Sequence, residues 1–223
     1  IRAQDISLCS VILFSAFHPG ILQVMRMICS TITVLLICVL PVKAQMNFAG
    51  KLSSAAISLT KQEVVYDPAY YVLDYPGGDV PEGRGVCTDV VIRAYRRLGI
   101  DLQKEVHEDM TACFNLYPKN WGLSKPDKNI DHRRVPNLMT FFSRHGEIRS
   151  ITNNADEYSP GDIVCWDLGQ GLTHIGIVVD KKSSDGKRPL IVHNIGGGQV
   201  LADCLFRYTI IGHFKYTYPP GAK

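Results

Sequence analysis

The chain has 223 residues, 46% hydrophobic and 20% charged, with 24 Lys+Arg against 21 Asp+Glu for a formal net charge of +3. That length supports one good core and excludes two large domains. The small net charge excludes a strong basic field for nucleic acid or a membrane surface.

The first 44 residues read as something other than fold. Met25-Arg26-Met27 starts a leader with a positive n-region, and Ile28 to Leu40 is its apolar run. Val42-Lys43-Ala44 supplies the small residues a signal peptidase needs, so residues 25–44 are read as a secretory signal cleaved before Gln45. The apolar run is too short to span a membrane comfortably. Residues 1–24 are read as upstream sequence or an extra apolar extension. The single domain expected is residues 45–223, exported to the periplasm or the medium. It retains 21 basic and 20 acidic side chains. It also retains Cys87, Cys113, Cys165 and Cys204. An oxidising compartment permits disulfides among them. No CxxC spacing or Cys/His cluster points to zinc, so no metal site is expected.

In chain order, Ala49 to Val65 predicts a helix stopped by Tyr66-Asp67-Pro68. Tyr70 to Tyr75 predicts a short extended segment, followed by a Pro76-Gly77-Gly78 turn. Cys87, Val90, Val91, Ala94 and Leu98 are spaced for one helical face, which turns Cys87 inward and leaves Arg93, Arg96 and Arg97 toward water. Asp101 caps a helix to about Tyr117, and Pro136 opens another that Gly146 ends. Between them lies a polar loop, Pro118 to Arg134, containing Trp121 and Asp131-His132-Arg133-Arg134. From Ile163 onward the period changes to two. Strands are predicted over Ile163–Asp167, Thr173–Asp180, Leu190–Asn194, near Val200, and over Tyr208–Tyr216. Helices followed by an antiparallel meander predict an α+β fold, with N-terminal helices packed on a C-terminal sheet.

Three residues could carry chemistry. Cys87 at a helix N-terminus lies near unpaired N–H groups and the positive end of the helix dipole, which favour thiolate. His174 shares a strand face with Gly176, which leaves open space beside a candidate base. The next strand ends in His193-Asn194, and either could orient that base. The paired arginines Arg133 and Arg134, with Asp131 and His132, form either a carboxylate-binding loop or a solvated one.

This order resembles the NlpC-type papain-like cysteine peptidases that cut bacterial cell walls. Those proteins show Asp-Cys-Ser-Gly at the nucleophile, His-Val-Gly-Ile at the base and a Tyr-x-x-Gly-Gly loop before the cysteine. Here Val86-Cys87-Thr88-Asp89, His174-Ile175-Gly176-Ile177 and Tyr75-Pro76-Gly77-Gly78 are similar, and Gly161-Asp162-Ile163-Val164 matches the strand before the base. A closer resemblance is to the exported bacterial domain-of-unknown-function family 1287, over about Gln62 to Tyr218. It rests on Gly85 to Val91, Asn129 to Asn137 and Gly161 to Leu168. The resemblance implies a papain-like fold, with Cys87 as nucleophile, His174 as base and His193 as orienting residue. Tyr75 would then lie near the oxyanion. Val86 and Thr88-Asp89 depart from the peptidase pattern, and a charge on Asp89 opposes thiolate nearby. The implied reaction is amide hydrolysis in peptidoglycan stem peptides, with no cofactor. Acyl transfer to another acceptor and a non-catalytic peptide-binding module are the rival expectations.

Overall fold

The structure is a computed structural model, and it describes residues 47–217. The leader and the predicted cleavage point before Gln45 lie outside the described residues.

Among the described residues, four α-helices precede the main sheet. Helix α1 is Phe48–Leu59, capped by Asn47, whose side chain accepts from the Gly50 N–H at 2.9 Å. It is shorter than the predicted Ala49–Val65. The chain from Val65 is taken instead by a short strand, β1 (Val65–Tyr66), pairing in parallel with β2 (Arg84–Gly85). Pro68 already disfavours helix at Asp67, and the Val65 N–H finds its partner at Gly83 O, 2.8 Å away. Helix α2 (Cys87–Arg96) follows β2 directly. Helix α3 (Leu102–Cys113) is capped by Asp101 and continues as one 3-10 turn. Helix α4 (Val135–His145) has Pro136 in its first turn and ends at Gly146. A Cβ at Gly146 would stand 2.8 Å from the carbonyl oxygens of Lys215 and Phe142, so only glycine lets the backbone turn there.

The main sheet has six strands in the order β3-β8-β4-β5-β6-β7, and every pairing is antiparallel. They are β3 (Glu147–Ile148), β4 (Ile163–Gly169), β5 (Leu172–Lys182), β6 (Pro189–His193), β7 (Val200–Ala202) and β8 (Thr209–Lys215). The architecture is therefore mixed α/β, helices against an antiparallel sheet.

Alternation along the strands makes two cores. Ile163, Cys165, Ile175, Ile177, Val179, Val192 and Phe214 pack with the helices, against Leu52, Val91, Tyr95, Phe141 and Phe142. Val164, Trp166, Val178 and Ile191 face the other way and are covered by Tyr158, Cys204 and Leu205. Trp166 is fully buried there and donates its indole N–H to Leu205 O at 2.9 Å. Ser53 joins α1 to β5 by donating to Asp180 Oδ1 and accepting from the Asp180 N–H.

The arginines of α2 do not all face water. Arg93 and Arg96 both pair with Asp79, and Arg96 also donates to Gly78 O. Only Arg97 is exposed. Eight of the ten residues of α2 are buried, and Gly78 and Asp79 of the preceding loop bind Arg93 and Arg96 on its polar side.

Phe142 is fully buried and stacks among Tyr95, Phe141, Phe214 and Tyr216. Phe142→Ala should cost about 3–5 kcal/mol, read as a lowered urea midpoint with an unchanged m-value.

Candidate active site

The first turn of α2 is held by an ion pair rather than by a side-chain cap. Val86, at the N-cap, offers no hydrogen-bonding side chain. Asp89 Oδ2 instead accepts from the Val86 N–H at 2.7 Å. The same carboxylate is gripped by Arg133, with Nε to Oδ1 at 3.0 Å and a terminal nitrogen to Oδ2 at 3.1 Å. Both side chains are almost completely buried. Arg133 also donates to Ala69 O at 2.9 Å and Asp67 O at 3.3 Å, so it ties the segment after β1 to the Cys87 turn.

This overturns the expectation that Arg133 binds a substrate carboxylate, because its donors are already committed. Asp131 and His132 are buried as well, in a 3-10 turn (Asp131–Arg133) wedged between α3 and α4. Asp131 Oδ2 accepts from the Asp127 N–H at 2.6 Å and lies 3.5 Å from His107 Nδ1. Burial raises the Asp131 carboxyl above the usual carboxylate range. Burial drives His132 down to about 3, which keeps it neutral. Arg134 stands apart, stacked over the Trp121 ring at 4.1 Å. Neither the substrate loop nor the solvated loop describes this cluster. It is a buried brace.

Cys87 is buried, in the helix-facing core. The backbone of Ile175, the residue after His174, and that of Thr88 and of Cys87 itself stand close to its sulfur. Those contacts favour thiolate, as the helix-start argument expects. Burial outweighs them, and with the nearby Asp89 charge it pushes the thiol up to about 12. The resting sulfur is therefore a neutral thiol, contrary to the expected thiolate. The missing factor is desolvation, which a linear sequence does not display.

His174 and His193 meet. The Nε2 of His174 and the Nδ1 of His193 are 2.9 Å apart, with the rings edge to face at 5.0 Å. Burial lowers His174 to about 3, aided by His193, and burial also lowers His193. Both imidazoles are neutral at rest. The Nδ1 of His174 has no hydrogen bond among the described residues, and none joins that ring to the Cys87 sulfur. For Nδ1 to accept a proton, Nε2 must carry the hydrogen and donate it to His193 Nδ1.

Gly176 does not leave open space. A Cβ there would lie 2.6 Å from Ile191 Cγ2 and 3.2 Å from His193 Cβ. The missing side chain makes room for His193 to approach His174. Asn194 is not the orienting residue; it donates to Gly85 O at 3.2 Å and pins the end of β6 to the strand entering α2.

Tyr75 is also not near the sulfur. Its ring packs edge-on against His107 of α3 at 5.2 Å, with Lys128 on its face. Tyr66 is the tyrosine beside the site. It pairs in register with Gly85, and burial, with Cys87 and the Asp89 carboxylate nearby, raises its phenol. Sequence reasoning missed it by extending α1 through Val65, although Pro68 marked the extended chain. Among the described residues the four cysteines, Cys87, Cys113, Cys165 and Cys204, are free thiols. Among the described residues no group of three or more His, Cys, Asp or Glu is arranged to hold a metal. No described helix is long and apolar enough to cross a membrane. A cleft of about 860 Å³ lies beneath Gly83, lined by Glu63, Asp79, Glu82, Arg93 and Arg96, and includes neither Cys87 nor the histidines.

The fold and site define an α/β domain with a buried thiol at a helix start and two paired histidines on the adjoining strands. Residues 53–216 match the family described as domain of unknown function (DUF1287), and the chain belongs to that family. It is similar to the Escherichia coli (strain K12) protein named "Uncharacterized protein YijF", at 51% identity over 178 residues. That match spans 80% of this chain and 85% of the relative.

Two outcomes follow from the electrostatics. Arg133→Ala strands Asp89 as a buried unpaired charge and should cost about 3–5 kcal/mol, measured by urea unfolding. Iodoacetamide labelling of Cys87 should be slower at pH 7 than that of an ordinary thiol. It should keep rising beyond pH 9, where an ordinary thiol levels off, because the burial-shifted value is about 12.

Proposed function

We propose that this domain is an exported papain-like cysteine hydrolase that cleaves an amide bond in peptidoglycan stem peptides. What carries the reading is the His174–His193 contact at 2.9 Å, with the Ile175 backbone of the same strand as His174 close to the Cys87 sulfur. The α2-on-sheet arrangement and the resemblance to NlpC-type peptidases support it; the substrate rests on that resemblance alone.

Because thiol and imidazole both rest neutral, the pair works by general-base catalysis rather than from a preformed thiolate. His174 Nδ1 takes the thiol proton as the sulfur attacks the carbonyl carbon. The imidazolium is stabilised by its Nε2–H donating to His193 Nδ1. The tetrahedral oxyanion is met by the Cys87 N–H at the helix start and by the neutral phenol of Tyr66. Collapse breaks the C–N bond, His174 returns its proton to the leaving amine, and a thioester remains. Water then attacks with His174 again as base, releasing the carboxylic acid and the thiol. Asp89 takes no part in the proton transfers, since Arg133 holds it. No cofactor enters.

Incubation with purified wall fragments, followed by mass spectrometry, tests the reading. Wild type should release fragments heavier by one water per cleavage, and Cys87→Ser should release none. His174→Ala should lower the rate about 10²–10⁴-fold, with an unchanged circular dichroism spectrum. Undiminished cleavage by Cys87→Ser, or no cleavage by wild type, would overturn it. Products extended by an acyl acceptor would instead identify a transferase.

A further inference from the structure

Loop 118–134 and the segment after β1 build a second surface next to the α2 turn. Tyr70 and Trp121 are both exposed, at 55% and 41%. Exposed aromatics occurring singly need no explanation. Tyr70 is held in an ordered polar frame, and Trp121 carries Arg134 of the same loop on its face. The Tyr70 hydroxyl donates to Asp127 Oδ2 at 3.1 Å and accepts from Asn129 Nδ2 at 2.8 Å. Asp127 in turn accepts from the Asn129 N–H at 2.9 Å, and its own N–H is held by the buried Asp131. Arg134 covers one face of Trp121 and lies within electrostatic reach of Asp127. Arg133, next in the chain, donates to Ala69 O beside Tyr70 and to Asp89. The frame is thus rigidly joined to the Cys87 turn.

We propose that this surface binds a glycan, as an oligosaccharide of N-acetylated hexosamines. A sugar ring offers one apolar C–H face and a rim of hydroxyls. Flat aromatic rings beside a pre-positioned carboxylate, amide and guanidinium answer both. Other occupants fit less well. An added peptide strand needs a free backbone edge, but the Leu73 N–H is already bound to Asn129 Oδ1 at 2.9 Å. The choice of an N-acetylated sugar deepens the hydrolase reading, since it makes the ligand the polysaccharide that carries the stem peptide. The binding itself does not depend on catalysis.

The chain has two tryptophans, and the other, Trp166, is fully buried. Acrylamide quenching of fluorescence therefore reports Trp121. With full-length Cys87→Ser protein, millimolar chitotetraose should shield Trp121 from acrylamide. Tyr70→Ala should weaken that shielding at least tenfold. Trp121→Ala should weaken chitotetraose binding at least tenfold by calorimetry, with an unchanged melting temperature. No shielding by chitotetraose, affinity within twofold of the parent in both variants, or equal shielding by a stem tetrapeptide alone would overturn the proposal. Failure to hydrolyse wall fragments would leave these readings unmoved, so the two proposals fail separately.

Discussion

One buried ion pair organises the molecule. Arg133 reaches from a turn between α3 and α4 to Asp89 in the first turn of α2, and on the way binds two carbonyls of the segment after β1. Three parts of the chain, distant in sequence, are thereby fixed around Cys87. A pair buried this deeply is weak evidence of net stability, since desolvating both charges offsets most of their attraction. Its value is geometric. A planar guanidinium binding a carboxylate at two points tolerates little rotation, so the helix start that carries the sulfur has one orientation.

The second constraint is dryness. Burial raises the thiol and lowers both histidines, and all three groups are neutral in the resting domain. The same enclosure that suppresses the thiolate would strengthen any hydrogen bond to a developing oxyanion. The small, crowded join at Gly176 is what allows the two imidazoles to meet: a methyl group there would collide with Ile191 and crowd His193.

The polar cluster behind this site has a supporting role. Asp131 orders Asp127, which orders Tyr70 and Asn129, while His132 stays neutral beneath them. A stretch with two arginines, an acid and a histidine looks like a ligand loop because such residues are usually solvated. Here only Arg134 remains at the surface, and its partner is an aromatic ring rather than an acid.

Much was legible in the residues alone. Period-two alternation marked β4, β5, β6 and β8, caps and prolines marked α3 and α4, and the adjacency of His174 and His193 followed from pairing successive strands. These are local properties, set by side-chain direction and backbone sterics within a few residues. Which partner each charge takes is not local. That Arg133 would choose Asp89, that Tyr66 rather than Tyr75 would stand beside Cys87, and that the sulfur would be dry enough to keep its proton all depend on long-range packing. Desolvation and ion pairing are decided by the groups that folding brings near, and a linear order of residues does not carry those distances.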